Sequence, residues 1–201
     1  MEEIMKKIIP ALLVLFHATS LLSQENKEEP PFSHKGFKVA LGVIGFENEF
    51  DEFGGRMDDG GGGFLSLGWG FSDHVSLWLS GFGGEHPKSP PRVYGAGFGG
   101  IELDLQYKFI TESPFQPYGK VGIGGYAIGQ SGVIYTGGGI AGALGADYFF
   151  SPNIGIGLEL QFKGIGYSQR TQEINGQDIT TEVDPPLEGK SRVILLTVTL
   201  Q

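Results

Sequence analysis

Between Gly137 and Lys163 the chain alternates so strictly that a β-hairpin is the natural structure for it. Ile140, Gly142, Leu144, Ala146 and Tyr148 share one face of a first arm. Ile154, Ile156, Leu158, Leu160 and Phe162 share one face of a second, with Glu159, Gln161 and Lys163 behind them. Period two is the period of a strand, whose successive side chains point to opposite faces. Ser151-Pro152-Asn153 between the arms has the residues of a tight reversal. Alternation alone does not say which face meets the core.

The same pattern recurs along the chain. Strands are predicted over 36–46, 63–71, 74–83, 97–109, 117–128 and 190–201, which with the two hairpin arms makes eight. Phe37, Val39, Leu41 and Val43 oppose Lys38, Ala40 and Gly42, and Ile101, Leu103, Leu105, Tyr107 and Phe109 oppose Glu102, Asp104, Gln106 and Lys108. In 74–83, Val75, Leu77 and Leu79 share one face, which leaves Trp78 with Ser76 and Ser80 on the other. The predicted connections alternate: 47–62, 84–95, 129–135 and 168–189 are long, the rest short. Strands of about ten residues with alternately short and long connections are the signature of a barrel that crosses a bilayer. The expected fold is an all-β, eight-stranded antiparallel up-and-down transmembrane β-barrel over 36–201. Its termini and short turns lie in the periplasm, and 47–62, 84–95 and 168–189 are extracellular loops.

The stretch before the barrel reads as processing signal rather than fold. Lys6-Lys7 precedes an apolar run from Ile8 to Phe16, followed by small and polar residues to Ser23, the order of a secretory signal peptide over 1–23. The run is too short for a membrane-spanning helix. Residues 24–35, with Pro30-Pro31, are expected to be a flexible lead-in.

Composition narrows the function classes. The chain has no cysteine, so disulfides, thiolate metal sites and a lipidated Cys are excluded. Its formal net charge of −9, with no basic cluster past the leader, makes nucleic acid a poor partner. The leader's Glu2, Glu3, Lys6 and Lys7 cancel, so the balance survives its removal.

Aromatic residues bunch at the strand ends. Phe37, Phe71, Phe109, Phe115, Tyr118, Tyr148, Phe149 and Phe150 mark the expected periplasmic boundary, and Phe46, Phe64, Phe82, Phe98, Tyr126 and Tyr167 a thinner opposite one. Interfacial girdles have this placement. The inward face is expected to be crowded and charged, with glycines at Gly68, Gly70, Gly122, Gly124, Gly155 and Gly157. Lys38, Lys108, Lys120 and Lys163 there face Glu102, Asp104, Asp147 and Glu159, four of each sign. Eight strands leave room only for side chains inside, so these form an internally neutralised network, favoured over a conduction path.

FQPYGKVGIGGY (115–126) and GALGADYFFSPNIGIGLEL (142–160) resemble recurrent segments of the small outer-membrane β-barrel family, the group of OmpX and the OmpA membrane domain and, more distantly, OmpW. The resemblance covers the mature chain. It implies a monomeric barrel in the cell outer membrane, surrounded by lipid and lipopolysaccharide, and placed there by the barrel-insertion machinery. Many members end in an aromatic residue, where this sequence has Thr199-Leu200-Gln201.

Chemical motifs are sparse. Gly137–Gly142 fits G-x-G-x-x-G but continues as strand instead of opening a helix, so no dinucleotide cofactor is expected. His74-Val75-Ser76 resembles the His-x-Ser of outer-membrane lipid A deacylases, with Glu85 as the nearest later acid. Leu77 stands where that family has Asn, and the expected topology puts His74 at the periplasmic end. Glu47, Glu49, Asp51, Glu52, Asp58 and Asp59 are expected to form a solvated acidic loop, with calcium as the weaker alternative. The predicted function is a non-enzymatic structural or surface-interaction role through the extracellular loops. A narrow conduit for small solutes and a lipid-modifying enzyme are the alternatives.

Overall fold

The structure is a computed structural model that describes residues 34–57, 59–87, 95–174 and 176–201. The signal-peptide expectation and most of the lead-in lie outside the described residues. The strands are β1 (Gly36–Phe50), β2 (Gly55–Arg56), β3 (Gly60–Gly70), β4 (Val75–His86), β5 (Ala96–Lys108), β6 (Phe115–Gln130), β7 (Val133–Ser151), β8 (Ile154–Ile174) and β9 (Gln177–Leu200). Apart from the two-residue β2, which folds back on the end of β1, the eight long strands pair antiparallel in chain order. The β1–β9 pairing then closes the sheet into a barrel.

The register sets the size of the barrel. Cross-strand partners followed from Val39 run through Leu67, Leu79, Leu103, Ile123, Ile140, Gly164 and Lys190, and return to β1 at Glu49. Eight strands with that ten-residue stagger tilt by about 40°, and the interior has room for side chains and nothing larger.

The face assignment follows the alternation. Leu65, Leu103, Leu158, Ile194 and their neighbours are exposed and form an outer apolar belt. From Ile154 to Phe162 the belt climbs about 20 Å, close to the apolar band of an outer-membrane barrel. Lys38, Ser66, Ser76, Trp78 and Glu102 are buried inside. Glycine on the inner face makes room for a large neighbour: a Cβ at Gly68 would lie 2.6 Å from the Trp78 ring, and one at Gly145 2.6 Å from the Tyr118 ring.

Three expectations are corrected. First, the connections differ. The 129–135 loop is a two-residue turn, with Ser131 (φ 53°) and Gly132 (φ 78°) both left-handed, the geometry that matches strand twist. The 168–189 loop is mostly a β-ribbon, because β8 and β9 continue to Ile174 and Gln177. Its Thr-rich arms flank Asn175-Gly176, a hairpin signal in the sequence itself. The 47–62 and 84–95 connections are shorter than expected, since β1 runs to Phe50 and β4 to His86.

Second, only part of the aromatic assignment describes a girdle. Phe37, Phe71, Phe109, Phe115, Tyr148 and Phe150 are exposed at the end bearing the short turns, whereas Tyr118 and Phe149 are buried in the lumen. The opposite set is not a girdle. Phe46, Phe98, Tyr126 and Tyr167 are buried, and Phe64 and Phe82 pack against them. Third, the lumen is therefore charged only in its turn-side half. The loop-side half is an apolar core with one buried polar pair in it, Asn48 Nδ2 and His86 Nε2, 3.0 Å apart.

Candidate functional site

The interior is filled in layers, from the turn end upward. At the turn-side mouth sits His34, fully buried. Its backbone N–H donates to Asp73 Oδ1 (3.0 Å), its Nδ1 bonds Gln201 Oε1 (2.9 Å), and its ring tilts against Phe149 at 5.2 Å. Gln201 donates from its backbone N to Asn153 O (3.0 Å) and from Nε2 to Pro152 O (2.8 Å). The residue entering the barrel and the residue ending it thus clasp each other and two turns. Burial, then the nearby Lys108 ammonium, lowers the His34 pKa to about 4. The His34 N–H holds the Asp73 carboxyl below its ordinary range.

Above the mouth, Lys108 Nζ donates to Gln116 Oε1 (2.6 Å), pairs with Asp147 Oδ2 (3.3 Å) and stands 4.5 Å from the Phe149 ring centroid. Lys38 Nζ donates to Ser76 Oγ (2.9 Å), beside Trp78, whose Nε1 donates to Gln106 Oε1 (2.9 Å). In the next layer Glu159 Oε2 receives Lys120 Nζ (2.6 Å) and the Tyr118 hydroxyl (2.8 Å). Higher still, Lys163 pairs with Glu102, which also accepts from Gln161 Nε2 (3.3 Å), and Lys163 Nζ lies 4.2 Å from the Phe82 centroid.

The eight charges expected in the lumen are all inward. Six form three ion pairs: Lys108–Asp147, Lys120–Glu159 and Lys163–Glu102. The other two stay outside the ion pairs of the described residues. Lys38 is held by Ser76, and Asp104 accepts from Ser80 Oγ at 3.4 Å. Each buried charge thus has at least one polar partner, the condition for keeping it inside.

Above Lys163 the chemistry changes. Ile44, Phe46, Phe98, Tyr126, Ile165 and Leu195 form the lower part of the apolar core. Phe50 and Met57 close it from above, with the Phe50 ring 5.1 Å from Tyr135 and 4.8 Å from Tyr167. Two voids lined by Glu159 have only about 10 and 20 Å³ open to the centre of a water molecule. Each is room for one water.

The deacylase-like motif is not assembled. His74 Nδ1 bonds Lys108 O (2.8 Å) and its ring stacks on Tyr107, while Ser76 Oγ receives Lys38 inside the barrel. Glu85 lies near the far end of β4. Gly137–Gly142 runs through β7 as strand. In the acidic connection Glu47 pairs with Arg56, and no group of three metal-ligating side chains occurs among the described residues.

The second feature is the β8–β9 ribbon. Beyond the barrel, Gln169–Ile174 pairs with Gln177–Glu182, and Thr171 and Thr180 join through their hydroxyls (2.9 Å). β7 covers the other side of β8 here, through Val133–Thr136. β1 reaches β9 only as far as Phe50 opposite Gly189. The outer edge of Gln177–Glu182 therefore has no strand beside it among the described residues. The polar lumen charges were legible in the sequence; His34 and the ribbon edge were not singled out there, Tyr118 reads there as a girdle aromatic, and Gln201 only as a non-aromatic end.

Residues 11–184 match the family described as outer membrane protein beta-barrel domain. No curated protein sequence matches. Among solved structures, Neisserial surface protein A superposes with a TM-score of 0.64 at 17% identity, over 83% of this chain and 97% of that one. OprG of Pseudomonas aeruginosa gives 0.57 at 16% identity, over 85% and 98%. Ail of Yersinia pestis gives 0.51 at 12% identity, over 83% and 98%. At these identities the three share the fold with this chain.

Proposed function

This chain belongs to the outer membrane protein beta-barrel domain family, and we propose that it is a non-enzymatic surface-interaction barrel whose projecting ribbon meets a partner outside the cell. The observation that carries this is a contrast within one molecule. The lumen is filled from His34 to Met57, while the longest strands leave the barrel and end in an edge that no strand covers among the described residues. An uncovered strand edge is a template for pairing with another chain. A filled lumen supports a surface role over a conduit, because a solute would have to displace paired charges and an aromatic core in turn.

In this reading both termini and the short turns face the periplasm, and the ribbon, with 51–57 and the end of β4 at His86, faces outward. The apolar belt is surrounded by lipid and lipopolysaccharide, the insertion machinery places the barrel, and it works as a monomer. Ail has been seen with the heparin analogue sucrose octasulfate. The ribbon here holds Glu173, Asp178, Glu182, Asp184 and Glu188 against Arg170, the wrong sign for such a polyanion.

The absence of cysteine makes the orientation directly testable. A Thr180→Cys variant is expected to react with a membrane-impermeant maleimide on intact cells, and an Asn153→Cys variant only after the outer membrane is opened. The reverse pattern would turn the barrel over and remove the ribbon from the surface.

A further inference from the structure

The position of the charge says what kind of partner the ribbon edge fits; this inference rests on the surface-interaction reading above. The lumen holds four cations and four anions, so the interior contributes nothing to the formal −9. The imbalance is carried outside it, and the ribbon 169–188 has five acids and one base. That base, Arg170, donates to Gln172 Oε1 at 2.8 Å.

The acids on the edge strand are in register. Asp178, Thr180 and Glu182 alternate with Gln177, Ile179 and Thr181, so the two carboxylates project from one face. Four residues apart in a strand, they are spaced by about 13 Å. A strand laid beside them places its own side chains at the same interval, so cations at positions i and i+4 fall opposite both carboxylates. Thr180 between them leaves room for a middle side chain, and exposed Ile179 gives the other face an apolar contact.

The same charges argue against a second copy as occupant. Pairing this edge with itself brings carboxylates of like sign together, which destabilises a strand pair. Pro185-Pro186 lie just past the edge, and proline there cannot donate to an added strand. The open template is therefore six residues long and acidic.

We propose that the outer edge of Gln177–Glu182 docks an extended basic segment of another protein, hydrogen-bonded to β9 with Lys or Arg side chains opposite Asp178 and Glu182.

The test uses the full chain in neutral detergent micelles and four synthetic octapeptides. One alternates Lys and Thr, one is its backbone N-methylated form with the same charge, one alternates Glu and Thr, and one alternates Ser and Thr. Binding is read by fluorescence anisotropy and by amide exchange at 177–182. The Lys-Thr peptide is expected to bind, to slow exchange along the edge and to weaken as salt rises. Its N-methylated form is expected to lose at least ten-fold. A D178N/E182Q variant is expected to lose about ten-fold, since each exposed ion pair contributes a few-fold.

Equal binding of the N-methylated peptide would sink edge docking itself. Equal binding of the Glu-Thr or Ser-Thr peptide, or an unchanged D178N/E182Q variant, would leave edge docking standing and overturn the basic partner. Absence of binding by all four would overturn both. A ribbon-mediated dimer lost on Thr180→Pro substitution would identify a second copy as the occupant and overturn the basic partner too.

Discussion

Removing one member of the Lys163–Glu102 pair should cost the barrel more than removing both. The carboxylate and the ammonium are almost completely buried, with side chains 2% and 1% exposed. In a Lys163→Met variant the methionine fills most of the space beside Phe82, but Glu102 keeps only polar support such as the Gln161 amide. Breaking a buried pair by deleting one partner costs about 3–5 kcal/mol. Against a total stability of about 5–15 kcal/mol for a domain, that is a large fraction. In the double variant Glu102→Gln/Lys163→Met neither charge is left uncompensated, and the net loss should fall to about 1 kcal/mol. The two sites are in contact, so the cycle should show a coupling of at least about 2 kcal/mol. The assay is urea unfolding in phospholipid vesicles, followed by tryptophan fluorescence and by heat-modifiable gel migration. A double variant whose loss equals the sum of the two single losses would refute the pairing.

The turn-side clasp should respond to acid. His34 has a folded pKa of about 4, below its ordinary 6.5, so the neutral ring is the one that fits. Its contribution is complete above pH 6.5 and falls as pH drops from 6.5 towards 4, by about 3 kcal/mol in total. The groups around it are Lys38, Lys108 and Asp73. NMR titration of the ring in micelles should give a midpoint near 4, and a midpoint near 6.5 would mean that the mouth is open. An arginine at Leu158, mid-belt on β8, should cost about 2–4 kcal/mol and hinder assembly, whereas one at Ser168, past the belt on the same strand, should cost about 0–1 kcal/mol. Equal effects on membrane-fraction yield would mean that the belt is misplaced. Gly157, the lumen neighbour of Leu158, is a poor comparator because any side chain there meets Asp147 and Thr197.

Much of this was legible in period two. Ile154 to Phe162 and Phe37 to Val43 revealed the strands and their outer faces, and parity alone placed Lys38, Glu102 and Glu159 inside. Parity also carried a signal that grouping aromatics by height ignores. Phe46 shares its parity with Lys38 and Ala40, Phe98 with Glu102, Tyr126 with Lys120, and Tyr167 with Lys163. Glycines such as Gly45, Gly97 and Gly125 hold the outward positions beside them. In the loop-side half, bulk is inside and the outer wall is bare, the reverse of the turn-side half. The Asn175-Gly176 signal lay inside a polar stretch whose charge suggested a loop. The choice of partner for each lumen charge was beyond local reasoning. Lys163 meets Glu102 across 61 residues of chain, through a stagger that only barrel closure fixes.

The filled lumen beneath an exposed ribbon is tested most directly by single-channel recording in planar bilayers with folded protein, inserted and verified by its heat-modifiable migration. A flat baseline at all applied voltages is the expected result. A steady conductance step would contradict it, because ions would then pass both the Lys–carboxylate layers and the aromatic core.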